Sequence, residues 1–197
     1  MQVKSIRIVF ITIGLIGVLL FASPTLSLLV KPPANQEFTE LYILGPNHTF
    51  ANIPFKINAD VPYSVYLGIV NQMGSSCYYT CFVKIGNQTE PLPDATLGTP
   101  STLPALYESN SFLSDGGTWE IPLTFQVNQL TFIDGTSQLS SITINGIEFP
   151  INQTSALSSD KTGYYYNLFV ELWIYNSTLG ISQYNNRFVN LILNMTP

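Results

Sequence analysis

The sequence predicts a mainly β domain, a sandwich or a barrel, that follows one N-terminal transmembrane helix. Three observations support this fold class. The 23-residue run Ile8–Val30 carries no charged residue. After it come short runs rich in Val, Ile, Tyr, Phe and Thr, the residues that half-buried strands prefer. No helical apolar repeat appears beyond the N-terminal run, so closely spaced strands favour a sandwich or a barrel.

The run Ile8–Val30 is long enough to cross a bilayer. As a helix it spans about 35 Å, against a hydrocarbon core of about 30 Å. A cleaved signal peptide is the alternative, but the apolar run extends beyond the usual signal core, which favours a retained anchor. Lys4 and Arg7 precede the run and predict a cytoplasmic N-terminus. The remaining chain is therefore expected outside the cytoplasm, held at the cell membrane by a single pass.

The predicted organisation has three parts. Residues 1–30 form a cytoplasmic stub and the transmembrane helix, and residues 31–37 form a spacer stiffened by paired prolines. Residues 38–197 are enough for one domain with a sizeable core. All twelve acidic residues and only five of the seven basic ones lie after residue 30, which gives that part a net charge near −7. This balance opposes nucleic-acid binding, which requires a basic surface.

Ten short runs are predicted as strands, separated by turn residues. They are Phe38–Leu44, Pro54–Ile57, Tyr63–Asn71, Tyr78–Ile85, Thr118–Val127, Leu130–Ile133, Ile142–Ile144, Ile147–Ile151, Tyr164–Tyr175 and Phe188–Asn194. Tyr63–Asn71 and Tyr164–Tyr175 alternate most clearly, and the second places Asn167, Glu171 and Trp173 opposite its apolar face. Asn145-Gly146 is the strongest hairpin signal.

The segment 86–117 is predicted as a long loop because it is rich in Pro, Gly, Ser and Thr. A short element is expected near Leu106–Phe112. The favoured interpretation is an ordered excursion over one face of the sandwich, and a role in docking a partner is the alternative.

Five N-x-S/T motifs predict N-linked glycosylation at predicted turns or strand ends. The acceptors are Asn47, Asn87, Asn152, Asn176 and Asn194. An external domain meets the compartment requirement for this modification, and Asn194 is the weakest candidate because it lies so near the C-terminus.

Cys77 and Cys81 are the only cysteines. On one continuous strand their Cα atoms would lie about 13 Å apart, beyond the reach of a disulfide. A bridge therefore requires Cys77 in a turn or a bulge between the two residues. The oxidising exterior favours a small disulfide loop. Two free thiols are the next alternative, and a metal pair is disfavoured because no histidine lies nearby.

The residue pattern does not favour catalysis or a bound cofactor. His48 is the sole histidine and lies within the Asn47 acceptor motif, where an exposed turn residue is expected. No nucleophile motif or phosphate-binding glycine loop is present. Glu171 is the carboxylate that a pair for glycoside chemistry would include, but a solvent-facing or partner-facing side chain is the favoured interpretation. The sequence therefore predicts a protein that is not an enzyme.

The stretch from Phe38 to Thr49 resembles the opening, F-T-E-x-Y-x-L-G-P-N-x-T, of an ectodomain of uncharacterised archaeal membrane proteins. That family is known only as a domain of unknown function. Further similarity lies at Gly68–Asn71, at Tyr78–Thr80, at the turn Gly116–Glu120 and at Leu172–Ile174, so the likeness covers about 38–127 and 164–175. The resemblance implies an archaeal envelope protein with an immunoglobulin-like sandwich, and it implies no activity.

The sequence thus predicts a non-catalytic accessory subunit of an envelope or membrane complex. Its helix 8–30 and its β domain would contact integral membrane subunits, and the β domain would carry N-linked glycans. A free-standing module that binds a glycan, a surface-layer protein or a ligand is the alternative. Neighbouring tyrosines such as Tyr78 and Tyr79 must point to opposite strand faces. One ring can join the core, and the other either packs against a second sheet or forms such a platform; core packing is the favoured interpretation.

Overall fold

The computed structural model describes Thr12 and residues 37–196. The predicted transmembrane helix 8–30 lies outside the described residues except for Thr12, and the predicted spacer 31–37 lies outside them except for its last residue. No helix in the described part of the chain is both long and apolar enough to span a bilayer. The domain from residue 37 onward forms one compact unit.

Ten strands build this domain. They are β1 (Phe38–Leu44), β2 (Lys56–Ile57), β3 (Pro62–Gln72), β4 (Cys77–Asn87), β5 (Tyr107–Leu113), β6 (Thr118–Ile133), β7 (Thr136–Ile144), β8 (Ile147–Ala156), β9 (Tyr164–Asn176) and β10 (Ile181–Met195). They form two five-stranded sheets, sheet A in the order β1-β3-β6-β7-β8 and sheet B in the order β2-β10-β9-β4-β5. Neighbouring strands pair antiparallel, apart from the short parallel contact between β2 and β10. The mainly β, two-sheet architecture is therefore confirmed.

The core lies between the inner faces of the two sheets. Sheet A contributes Val65, Leu67 and Ile69 from β3, and sheet B contributes Leu168 and Leu172 from β9, all of them buried. Their alternation along the strands is the one that the sequence predicts, because successive side chains of a strand point to opposite faces. Polar bonds also join the sheets: the Thr39 and Tyr79 hydroxyls lie 3.0 Å apart, and those of Ser137 and Tyr166 2.8 Å apart.

The hairpin predicted at Asn145-Gly146 connects β7 to β8, and Ile144 pairs with Ile147 across it. Both turn residues have positive φ, 47° for Asn145 and 80° for Gly146. Two successive residues in this conformation produce the type I′ turn that matches the twist of a tight hairpin.

Several strands differ in extent from the prediction. The runs Thr118–Val127 and Leu130–Ile133 are one strand, β6, in which shifts of register on either side of Gln129 absorb the interruption. Strand β7 begins at Thr136 rather than at Ile142. Its extra half is mostly polar and alternate residues of it face inward, where buried Ser137 bonds to the hydroxyl of Tyr166 across the sandwich. A prediction based on the number of apolar residues could not detect such a strand.

The predicted loop 86–117 is shorter in the structure. Strand β4 continues to Asn87, and the short element expected near Leu106–Phe112 is strand β5, Tyr107–Leu113. The part between them, residues 88–106, contains a single isolated bridge between Asp94 and Thr99. This 88–106 segment lies over the outer face of sheet B, as its bonds to Lys84 and Glu171 show.

Candidate functional site

Asn71 is a buried polar centre at the end of the domain where β1 begins. Its Nδ2 donates to the carbonyls of Ser75, Leu113 and Ser114 at 2.8, 3.0 and 3.1 Å. Its Oδ1 accepts from the main-chain N of Met73 at 3.1 Å and from the Tyr79 hydroxyl at 3.0 Å. One fully buried amide therefore fixes the β3–β4 turn, the end of β5 and the inter-sheet contact of Tyr79.

A second cluster lies on the outer face of sheet A. The ring of Tyr42 lies directly over Gly68, where an added Cβ would collide with it. Burial and the nearby Glu120 and Glu40 carboxylates raise the pKa of Tyr42. His48 stacks on the ring of Tyr66 at a centroid distance of 3.7 Å, and its Nδ1 contacts the Glu120 carboxylate. His48 is an exposed turn residue, as predicted, and in addition it ties the β1–β2 loop to sheet A.

An open groove of about 670 Å³ runs along the free side of β1. It is lined by Phe38, Thr39, Glu40, Leu41, Tyr42, Leu44, His48, Phe50 and Arg187. Phe50 is 77% exposed and Phe38 41% exposed. Arg187 enters from sheet B, where a shift of register between Tyr184 and Arg187 interrupts β10, and its Nε donates to the Thr39 carbonyl at 2.7 Å. Bulges of this kind re-aim a side chain, so the groove contains polar groups from both sheets.

A third cluster is sealed inside the domain. Lys84 Nζ lies 3.0 Å from Glu171 Oε2, and neither side chain is open to solvent. Lys84 also donates to the Ser101 carbonyl at 2.8 Å. Glu171 accepts from the Ser101 main-chain N at 2.6 Å and from Trp173 Nε1 at 3.1 Å. The ion pair therefore holds the 88–106 segment against sheet B.

The prediction that Glu171 faces solvent or a partner is wrong. Its side chain does leave the core face of β9, as the alternation requires, but the 88–106 segment covers that outer face. Next to the cluster, burial together with the Glu171 and Asp94 carboxylates raises the pKa of Tyr184 to about 12. Every oxygen of Glu171 is engaged by a donor of the protein, so its role in the structure is to hold Ser101 and Lys84.

Four predicted glycosylation acceptors are accessible. Asn47 and Asn152 are exposed, and Asn87 and Asn176 are half-buried. Asn194 differs, because only 4% of it is exposed and its Nδ2 donates to the Thr162 carbonyl at 3.3 Å. A sugar attached to this nitrogen would have little space in the folded domain, so the burial of Asn194 disfavours the acceptor that the sequence predicts there.

The predicted Cys77–Cys81 disulfide is not formed in the structure. Both residues lie in β4 and pair regularly with Leu113 and Ser109 of β5, with no bulge between them. This is the case in which the separation of about 13 Å along a strand prevents bonding. Cys81 is fully buried, and burial raises the pKa of its thiol to about 12. Cys77 is half-buried.

These environments predict unequal thiol reactivity. We expect native protein at pH 8 to release one equivalent of thionitrobenzoate from Ellman's reagent, through Cys77, and two after denaturation without reductant. The buried Cys81 stays protonated and inaccessible in the native state. A Cys77→Ser variant should release none until it unfolds, and release of no equivalent from denatured wild-type protein would show a disulfide instead.

The raised pKa of Cys81 also predicts how the stability of the domain depends on pH. Because the folded state holds this thiol proton more tightly than the unfolded state does, the stabilisation by the protonated thiol is complete below about pH 8.5 and is lost as the pH rises towards 12.

Exposed aromatic rings form a row on the outer face of sheet B, beyond the 88–106 segment. Phe112 of β5 pairs with Tyr78 of β4, and they are 68% and 42% exposed. Tyr175, 46% exposed, follows Ile174, the residue that pairs with Tyr79. Continuation of that register places Tyr175 beside Tyr78. We call Phe112, Tyr78 and Tyr175 the aromatic row.

Sequence reasoning identified several of these residues but not how they meet. The stretch that carries the family resemblance contributes Thr39, Tyr42 and His48, and the structure brings them to Asn71 and Glu120 from distant positions. Lys84, Arg187 and Phe50 were missed. A lone basic residue within an otherwise apolar strand is the one signal that could have drawn attention to Lys84. Among the described residues, no three His, Cys, Asp or Glu side chains are grouped to hold a metal ion.

Comparisons with known proteins establish the family. No curated protein matches the chain. Among solved structures, a β-glucosidase from Listeria innocua in complex with gluconolactone is similar at 7% identity and a TM-score of 0.40, with 82% of this chain aligned to 16% of the enzyme. The ASH/PapD-like domain of human CEP192 (PapD-like domain 7) is similar at 10% identity and a TM-score of 0.34, with 85% of this chain and 91% of that domain covered. Such low scores carry no argument about function.

The family model described as Domain of unknown function (DUF1616) matches residues 32–132, more than half of the chain, so the protein belongs to that family.

Proposed function

We propose that the protein is a non-catalytic accessory subunit of a cell-envelope or membrane complex, in an archaeon as the family resemblance implies. Helix 8–30 anchors it with the N-terminus in the cytoplasm, and the immunoglobulin-like β domain covers an outer surface of the complex. The observation that carries this proposal is the groove along β1, where Phe38 and Phe50 expose apolar surface beside the open edge of the sheet. Exposed apolar surface of this kind is typical of an interface.

The polar clusters of the domain favour a structural role. Asn71 donates its amide to three carbonyls, and the Glu171 carboxylate is occupied by Ser101, Lys84 and Trp173. Groups engaged in this way rigidify a scaffold. A catalytic carboxylate, in contrast, must reach a substrate. A rigid domain on a short spacer suits a subunit that holds one fixed position on a neighbour.

Purification of the full chain from its native membrane in mild detergent tests the proposal. We expect integral membrane subunits to co-purify in a constant stoichiometric ratio and to dissociate together with this chain. Recovery of the protein as a lone monomer, under conditions that preserve other membrane complexes, would contradict an accessory role.

N-linked glycosylation is part of the proposal and gives a separate prediction. We expect sugar on the accessible acceptors, with Asn47 and Asn152 most exposed, and none on Asn194. Intact mass spectrometry of native protein measures this. Thr49→Ala removes the Asn47 motif and should lower the mass by one glycan. Thr196→Ala is the matched control, because it removes the Asn194 motif through an exposed residue and should change the mass only by the substitution. A glycan lost from Thr196→Ala would contradict the prediction.

A free-standing glycan-binding module is the second candidate, and the aromatic row favours it. Exposed rings of Tyr and Phe offer flat apolar surfaces with polar edges on which a sugar could stack. A glycan array probed with the full chain in detergent, wild type against Tyr78→Ala, tests this candidate. Binding that is lost in the variant would support it.

A further inference from the structure

Strand β1 is an edge strand whose outer side is open. It pairs only with β3, and Thr39 lies opposite Asn71. The main-chain N of Asn71 donates to the Gly117 carbonyl at 2.9 Å, on the side of β6, so Thr39 and Asn71 exchange no main-chain bonds. In an antiparallel pair such residues alternate with bonded ones. The peptide groups of Thr39, Leu41 and Ile43 therefore point away from β3.

The contact of Arg187 supports this assignment and marks one end of the open side. Its Nε donates to the outward-pointing Thr39 carbonyl at 2.7 Å. The next outward residue, Leu41, lies in the lining of the groove. Within residues 37–196, no hydrogen bond engages the main chain of Leu41 on this side. An exposed edge with unpaired peptide groups is a template for another strand.

We propose that the β1 edge binds an extended segment of a partner protein, which adds to sheet A as a further strand. Main-chain bonds to Leu41 would provide affinity, and side chains on alternate positions would provide specificity. This inference rests on the proposed function, because it names the kind of partner segment that the accessory subunit binds at the groove.

The side chains of β1 define the chemistry of the segment. Glu40 and Tyr42 share the outer face of β1, and residues opposite them in an added antiparallel strand would form the close, non-hydrogen-bonded pairs. Opposite charges in such pairs stabilise, as do aromatic and β-branched residues. The segment therefore carries a basic residue opposite Glu40 and an apolar residue opposite Tyr42. Phe50, beside the groove, adds apolar contact at the rim.

Two other occupants fit less well. The β1 strand of a second copy contains no basic residue, so it offers Glu40 no opposite charge. Residues 31–36 of the same chain contain Pro32 and Pro33, which have no main-chain N–H to donate. The domain as a whole is acidic, and this also favours a partner that contributes the positive charge.

A peptide-binding experiment on the full chain in nanodiscs tests the inference. The probe is a fluorescent, end-blocked peptide that alternates valine and threonine and has one central lysine. We expect saturable binding by anisotropy, slowed hydrogen exchange at the Leu41 amide, and roughly fivefold weaker binding when glutamate replaces the lysine. Glu40→Lys should reverse this charge preference. A peptide N-methylated at alternate residues should not bind, since it cannot form the ladder.

Two aromatic variants provide a matched control. Phe50→Ala removes an exposed ring at the groove and should weaken peptide binding, whereas Phe112→Ala removes a comparably exposed ring from the aromatic row and should not. Absence of binding, or binding indifferent to Glu40→Lys and Phe50→Ala, overturns the inference. If membrane subunits still co-purify with the Glu40→Lys, Phe50→Ala double variant, the accessory role stands and the β1 edge is not its docking site. If the peptide binds as expected but no subunit co-purifies, the accessory role fails alone.

Discussion

Replacement of Lys84 by methionine is expected to lower the free energy of unfolding by about 3–5 kcal/mol, because it leaves the Glu171 carboxylate buried without its counter-charge. Glu171 would retain only the Ser101 and Trp173 donors. Loss of the Lys84 bond to the Ser101 carbonyl would also loosen the 88–106 segment. Urea denaturation followed by tryptophan fluorescence measures the change, since Trp173 lies beside the pair.

Two further variants show whether the buried charge is the cause. Lys56→Met makes the same chemical change on an exposed strand residue and should alter stability by no more than about 0.5 kcal/mol. The double variant Lys84→Met, Glu171→Leu removes both charges and should recover much of the loss, because apolar replacement of a whole buried pair is often neutral or stabilising. A double variant as unstable as Lys84→Met would show that the loss comes from packing and not from the unpaired carboxylate.

Asn71→Leu is expected to destabilise the domain by at least about 3 kcal/mol, because each buried group left without a partner costs about 1–3 kcal/mol. The replacement removes the donors for three carbonyls and the acceptor for Met73 N and the Tyr79 hydroxyl. Leucine is not smaller than asparagine, so little of this effect comes from a cavity. Thermal unfolding by circular dichroism provides the measurement.

A graded comparison separates the network from the single residue. Tyr79→Phe removes one hydroxyl that bonds to Asn71 and Thr39, and it should cost about 1–2 kcal/mol. Asn58→Leu makes the same chemical change at an exposed position directly after β2 and should have little effect. Equal losses in Asn71→Leu and Asn58→Leu would show that Asn71 is not the organising group of its end of the domain.

The strands could be predicted because their inner faces follow the period of two. Val65, Leu67 and Ile69 alternate with less buried residues over most of β3, and any arrangement of two sheets would bury them. The predicted extent of a strand was wrong where a polar residue occupies a core position. Ser137 completes a buried bond to Tyr166, so β7 extends through residues that look like a loop. Strand propensity is assigned to each residue separately. A buried hydrogen bond between two strands can therefore be recognised only when the partner strand is known.

The candidate site illustrates a different limit. Glu171 was singled out because it leaves the apolar face of its strand, and that direction is correct. What covers it could not be predicted, because the 88–106 segment has no periodicity and its contact comes through the Ser101 main chain rather than through a distinctive side chain. The position of a strand at the edge of its sheet is equally hard to predict. The sequence of Phe38–Leu44 does not indicate that β1 is the outermost strand of sheet A.

The ion pair beneath the 88–106 segment also constrains the order in which the domain can assemble. Ser101 and Glu171 are 70 positions apart in the chain. A chain that emerges from its N-terminus therefore exposes the 88–106 segment long before β9 exists to receive it. Because closing a long loop costs entropy before any contact forms, local hairpins such as β7–β8 should form earlier. Since the Ser101 contact with Glu171 requires β9 to have paired with β4, we expect the outer layer of sheet B to close late and Lys84 to stay hydrated until it does.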